Sequence, residues 1–165
     1  MARKPAHFGA GVNPMASVTV QHYLDDSHAR YVSITHMPVY TAQETAEAAH
    51  VSGYQYAKVV IVKVKNNLTM LVVPACERID LRYLQKVFST LAVSLVAEKE
   101  FSKNFPDCDR GAIPPFGHLY QMPVYVSRVF HADRAIVFNA GLHNEAIQMP
   151  YRYFIGLIDP DGYID

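Results

Sequence analysis

The chain has 165 residues, half of them hydrophobic and 18% charged, and its acidic and basic residues cancel to zero formal net charge. That length and balance describe one folded domain rather than a disordered chain. They argue against a protein that wraps long stretches of nucleic acid, because such affinity comes mainly from lysines and arginines displacing counterions.

The two cysteines, Cys76 and Cys108, form no CxxC pair and are too few for a secreted disulfide framework. No apolar run approaches the roughly 18 to 20 residues that span a bilayer, and the opening MARKPAHFGAGVNPMAS lacks the apolar centre of a signal peptide. The expectation is a cytoplasmic protein with no membrane association. Residues 1–16 read as a flexible tail and 17–165 as a single domain.

In chain order, SVTVQHYL from Ser17 predicts a short helix and YVSITHM a strand. Thr41-Ala-Gln-Glu44 has the form of a capping box, in which the Thr41 hydroxyl meets the amide at Glu44 while the Glu44 carboxylate reaches back. A helix should start there, with Ala42, Ala46 and Ala49 as a small-residue stripe against a sheet and Gly53 at its stop. Residues 57–64 (AKVVIVKV) and 68–74 (LTMLVVP) are β-branched runs joined by Lys65-Asn66-Asn67, the pattern of an antiparallel hairpin.

Asp80 can cap a helix over DLRYLQKVF, where Leu81, Leu84 and Phe88 recur at helical spacing, and AEKEFSKNF predicts a further turn or two of helix before Pro106. VYVSRVF, AIVFNAG and AIQM read as strands, and YRYFIGLI as a final strand or a short helix. Without regular βα alternation, the expected fold is α+β: a mixed, mainly antiparallel sheet curling into a partly closed barrel, flanked by short helices.

Three features bear on chemistry. Lys58 sits early in an apolar strand, so its ammonium either reaches water along an amphipathic stem or is held in a cleft for an anionic or carbonyl-bearing substrate. The loop GAIPPFG, residues 111–117, contains no carboxylate or thiol. Gly111 and Gly117 permit close backbone approaches, while Pro114 and Pro115 remove two amide donors and stiffen the segment. Such a ridge can bind through main-chain carbonyls and amides, and it also fits an ordinary surface connection. In FNAGLHNEAIQM, Gly141 ends one strand and His143 precedes the next, a turn that can carry Asn139 and His143 to the same cleft. His143 would there assist proton movement or hydrogen-bond a substrate, or else simply face solvent.

In this order and spacing, the segments from about Ser17 to Ile158 resemble the YbaK-like aminoacyl-tRNA deacylase family, which includes the editing domain inserted in some bacterial prolyl-tRNA synthetases. The likeness runs through TAQETAEAAHVSG, AKVVIVKV with its lysine, LVVPACERIDLRYL, GAIPPFG and FNAGLHNEAIQM. It implies that Lys58 matches the strand lysine required for deacylation and that Gly111 to Pro115 matches the family's GxxxP loop. His143 falls where some members use a histidine, Asn139 takes the small or polar position ahead of Ala140-Gly141, and His36 matches a position before the capped helix.

The resemblance thus implies catalytic roles for Lys58, Gly111 and His143. It implies substrate contacts from His36, Ala112, Ile113, Pro114, Pro115, Phe116, Gly117, Asn139 and Gly141. Ala112 stands where a second glycine is common, and Pro114 where serine is common; both stiffen the loop and alter the pocket for the amino acid. The implied reaction is hydrolysis of the ester joining a wrongly attached amino acid to the terminal adenosine of tRNA. The partners would be an aminoacyl-tRNA acceptor end and an aminoacyl-tRNA synthetase.

No cofactor is expected, and no metal, since Cys76, Cys108, His118 and His143 follow neither HExxH nor CxxC spacing. No G-x-S-x-G elbow marks a serine hydrolase. The competing reading is a non-catalytic module of the same fold that binds aminoacyl-tRNA or a synthetase.

Overall fold

The computed structural model describes residues 14–132 and 134–165, with side chains from Thr19 onward. Among the described residues, five α-helices, α1 (Pro14–Asp26), α2 (Ala42–Ala48), α3 (Leu81–Val87), α4 (Glu98–Phe101) and α5 (Tyr151–Ile158), flank one sheet. Its eight strands are β1 (Val32–Thr35), β2 (Tyr56–Val64), β3 (Asn67–Pro74), β4 (Val93–Leu95), β5 (Val124–Ser127), β6 (Ala135–Asn139), β7 (Glu145–Pro150) and β8 (Gly162–Ile164). Helix α1 begins inside the segment read as a tail, so residues 14–16 are helical. The rest of that expected tail, residues 1–13, lies outside the described residues.

The strands run in the order β1-β7-β6-β2-β3-β5-β8, with β4 pairing the far end of β2. β2 and β3 form the expected antiparallel hairpin, Ala57 opposite Pro74 and Val64 opposite Asn67. Contacts β2·β6, β3·β5 and β5·β8 are parallel, while β1·β7, β6·β7 and β2·β4 are antiparallel. The sheet is mixed, and its described strands do not close by hydrogen bonds into a complete barrel.

Local sequence accounts for most of these elements. Both halves of the Thr41–Glu44 capping box are formed, and Asp80 accepts from the amides of Arg82 and Tyr83 to start α3. YRYFIGLI is a helix, with Tyr151, Phe154 and Ile158 on its buried side. Those three recur at spacings of three and four, the helical period.

Alternation along β2 sends successive residues to opposite faces. Ala57 and Ile61 enter the largest apolar cluster, with Ile113, Phe116, Phe138 and Phe154. Tyr56 packs instead with Ala46 of α2, Ala75, Val137 and Ala146, and Val62 packs with Leu71, Val73 and Leu84 beneath α3. Lys58 therefore lies on the face shared by Tyr56 and Val62, away from the largest cluster.

Candidate functional site

Asn139 ends β6, and in the turn beyond it Gly111, His143 and the His36–Tyr40 segment meet, while Lys58 contacts the segment leaving β3. Parallel pairing sets Tyr56 beside Val137 and Ala57 beside Phe138, where the β2–β6 register ends. The Asn139 carboxamide oxygen accepts from the Tyr56 hydroxyl at 2.8 Å, a bond buried between the two strands. Burial drives the Tyr56 phenol well above its ordinary pKa, against a hydrogen bond from Thr45. Tyr56 is therefore a neutral donor that fixes the orientation of Asn139.

Lys58 is half-buried. Its Nζ donates to the carbonyl of Ala75 at 3.3 Å and to that of Glu77, both in the segment leaving β3. Burial holds the ammonium below the usual lysine value, with Cys76 and Glu77 pulling it back up and Arg78 adding to the decrease. The Glu77 carboxylate accepts from Ser127 Oγ at 3.3 Å, which ties this segment to β5.

Beyond Asn139 the chain turns through Gly141, whose φ of 99° suits a residue without a side chain. The amide of Ala140 bonds the Glu145 carbonyl across this turn at 3.3 Å. The Gly141 carbonyl accepts from the amide of Asp109 at 2.8 Å, and the Asp109 carboxylate accepts from the amide of His143 at 3.4 Å. Asp109 thereby joins the β6–β7 turn to the 111–117 loop. Sequence reading missed it, although an aspartate two residues ahead of a glycine is an ordinary turn signal.

Gly111 has φ of 79° and is exposed. A methyl group added there would stand 3.6 Å from His143 Cε1 and 3.8 Å from the Tyr40 carbonyl. Gly111, His143 and the segment before α2 are thus immediate neighbours. The rest of the loop turns inward: Ala112, Ile113, Pro114, Pro115, Phe116 and Gly117 are all buried. Ile113 and Phe116 belong to the largest core cluster, and the Phe116 ring meets those of Tyr23, Phe138 and Phe154. Their side chains anchor the loop, leaving Gly111 as its solvent-facing part.

His36 lies on the same side. Its amide bonds the Asn144 carbonyl at 3.0 Å, and its Nδ1 donates to the Met37 carbonyl at 2.8 Å. That bond puts the proton of a neutral ring on Nδ1 and leaves Nε2 as an acceptor. Nε2 is buried and has no hydrogen-bond partner among the described residues. A buried unpaired acceptor is costly, and it would be satisfied by an N–H or O–H supplied from outside the chain.

Two cavities lie elsewhere. One of about 600 Å³ is bordered by Tyr23, His118, Met122 and Asp161, the other, of about 480 Å³, by Lys63, Leu68, Val96 and Lys99. Neither is lined by Lys58, Gly111 or His143. Among the described residues, no three histidine, cysteine or acidic side chains are grouped to hold a metal ion, and no helix is long and apolar enough to cross a membrane.

The family model for the aminoacyl-tRNA editing domain matches residues 36–157. The chain belongs to the aminoacyl-tRNA editing domain family. That span takes in His36, Lys58, the 111–117 loop and the Asn139–His143 turn.

Solved structures with the fold of this editing domain include one described as a candidate trans-editing enzyme for prolyl-tRNA synthetase. It has a TM-score of 0.75 and 17% identity, over 89% of this chain and 94% of that one. The hypothetical protein APE2540 superposes with a TM-score of 0.77 at 16% identity, over 87% and 96% of the two chains. A scaffold from a computational epitope-grafting study gives 0.75 at 18%, over 91% and 95%. At these identities the likeness is one of fold. Among curated proteins, none matches this sequence.

Proposed function

We propose that this editing domain is a trans-acting hydrolase that cleaves the ester of mischarged aminoacyl-tRNA. The observation that carries the reading is the junction of Gly111, His143 and the His36–Tyr40 segment at the end of β6, within a chain of the editing-domain family. Water adds to the ester carbonyl, the acyl–oxygen bond breaks, and the ribose oxygen leaves with a proton. The products are a free amino acid and an uncharged tRNA end.

The loop contains no nucleophile, so catalysis rests on positioning and fixed dipoles, which can supply a large part of a barrier reduction. Main chain at Gly111 fixes the aminoacyl group, and the absence of a side chain there permits close approach. Lys58 supplies the cation that holds the adenosine phosphate or the carbonyl end. His143 hydrogen-bonds nearby, and a ribose hydroxyl of the tRNA helps to activate the water. His36 Nε2 is an acceptor suited to an ammonium or hydroxyl of the substrate.

A second reading, a binding module without turnover, draws on the Lys58 ammonium already engaging two carbonyls. Release of amino acid from a panel of mischarged tRNAs, with wild type and Lys58→Ala in parallel, separates the two. The hydrolase reading expects turnover of at least one species and its loss in the variant. Turnover by Lys58→Ala at the wild-type rate refutes the role given to Lys58, and tight binding with no turnover supports the module.

A further inference from the structure

We infer that Tyr40 is a stacking platform for a nucleobase of the RNA acceptor end, an inference that rests on the editing reading and assigns a residue the sequence did not single out. Tyr40 is 73% exposed and Met37, in the same segment, 79% exposed. Two large apolar side chains this open stand three residues apart in the segment beside the candidate site.

The ring is held in place. Its centroid is 4.8 Å from that of His143, with 58° between the planes. The preceding amide, of Val39, bonds the His143 carbonyl at 3.4 Å. The following residue, Thr41, is fixed by both halves of the capping box. The Tyr40 carbonyl faces Gly111. With main chain bonded on both sides and its ring against His143, the tyrosine presents an aromatic surface to solvent.

A substrate whose ester sits at Gly111 and His143 carries its terminal base within a nucleotide's length of that ester. A base stacks on any aromatic ring, and such a contact contributes enough to change affinity by about 5- to 150-fold. Among the described residues, no partner bonds the Tyr40 hydroxyl, so the ring rather than the phenol is the useful part. Stacking also suits a chain of zero net charge, which has no overall charge to draw it to phosphates.

The chain contains no tryptophan, so Tyr40→Trp installs a single fluorescent reporter at the proposed contact. The probes are a CCA trinucleotide, AMP and an uncharged tRNA. Saturable quenching of the introduced indole by CCA and by tRNA is expected. Tyr40→Leu should weaken binding about 5- to 150-fold with an unchanged melting temperature, and Tyr40→Phe should restore it. In the deacylation assay the leucine variant should raise KM more than it lowers kcat.

Unaltered indole emission at saturating tRNA, or wild-type binding by Tyr40→Leu, overturns the inference. So does an emission change on adding prolyl-tRNA synthetase but not RNA, which would make this segment a protein-docking surface. Quenching by CCA without hydrolysis of any mischarged tRNA upholds the stacking site and removes the hydrolase. Hydrolysis with a silent reporter and unaffected Tyr40→Leu kinetics does the reverse.

Discussion

Gly117→Ala tests how tightly the end of the 111–117 loop is packed. A Cβ built at Gly117 would collide with Val124 Cγ2 and lie 2.7 Å from the Met122 carbonyl oxygen, both more than about 0.7 Å inside the ~3.5 Å lower edge of a comfortable contact. Neither neighbour yields easily. Val124 is a β-branched residue buried in β5, where χ1 is restricted, and the Met122 amide bonds the Gly117 carbonyl at 2.9 Å, so the two segments cannot separate without losing that bond. Overpacking of a well-filled site costs about 1–3 kcal/mol, and with one contact to main chain the upper end applies. For a domain of this size, about 3 kcal/mol lowers Tm by roughly 6–12 °C.

The internal control is Gly156→Ala. Nothing lies within 4 Å of a Cβ at Gly156, which is exposed within α5. That change should stabilise the domain by about 0.5–1 kcal/mol through helix propensity. Urea unfolding of both variants beside wild type measures the difference. A Gly117→Ala protein as stable as wild type would refute the packing argument, and so would equal destabilisation by both changes.

Two further outcomes follow from the ionisable groups. Because burial depresses the Lys58 pKa in the folded chain, the native state binds fewer protons than the unfolded one between that lowered value and the ordinary lysine value, so stability rises with pH across this window. Urea titrations from neutral to alkaline pH should show the rise in wild type and not in Lys58→Met, whereas on the role proposed for Lys58 any deacylation should fall over the same window. Cys108 is raised to about 12, chiefly by burial, with a Tyr120 hydrogen bond opposing and Asp107 and Asp109 adding to the rise, while Cys76 is exposed. A thiol reagent at mildly alkaline pH should therefore modify Cys76 first and Cys108 only slowly; comparable rates in Cys76→Ser and Cys108→Ser proteins would contradict that ordering.

Elements written in short-range chemistry were legible before any coordinates. Thr41 and Glu44 are three residues apart, and Asp80 stands directly before its helix, so their hydrogen bonds are settled by spacing alone. The β2–β3 hairpin needs only two β-branched runs and a turn. β4 and β8, three residues each, carry too little alternation to be read. The ambiguity of YRYFIGLI between strand and helix arose because a short apolar run satisfies both periods.

What sequence by itself determined is most of the local elements and the order in which a lysine, a glycine-proline loop and a histidine turn occur. Tertiary structure alone decided that β2 runs parallel to β6, which brings the Tyr56 hydroxyl to Asn139, that Asp109 ties the loop to the turn, and that Tyr40 rests on His143. It also sent the loop's side chains from Ala112 to Phe116 into the interior and left the backbone of Gly111 outside. The physical reason is range: caps and hairpins close over a few residues, whereas parallel pairing and the burial of a loop depend on segments far apart in the chain meeting around a common core, and no local pattern encodes that meeting.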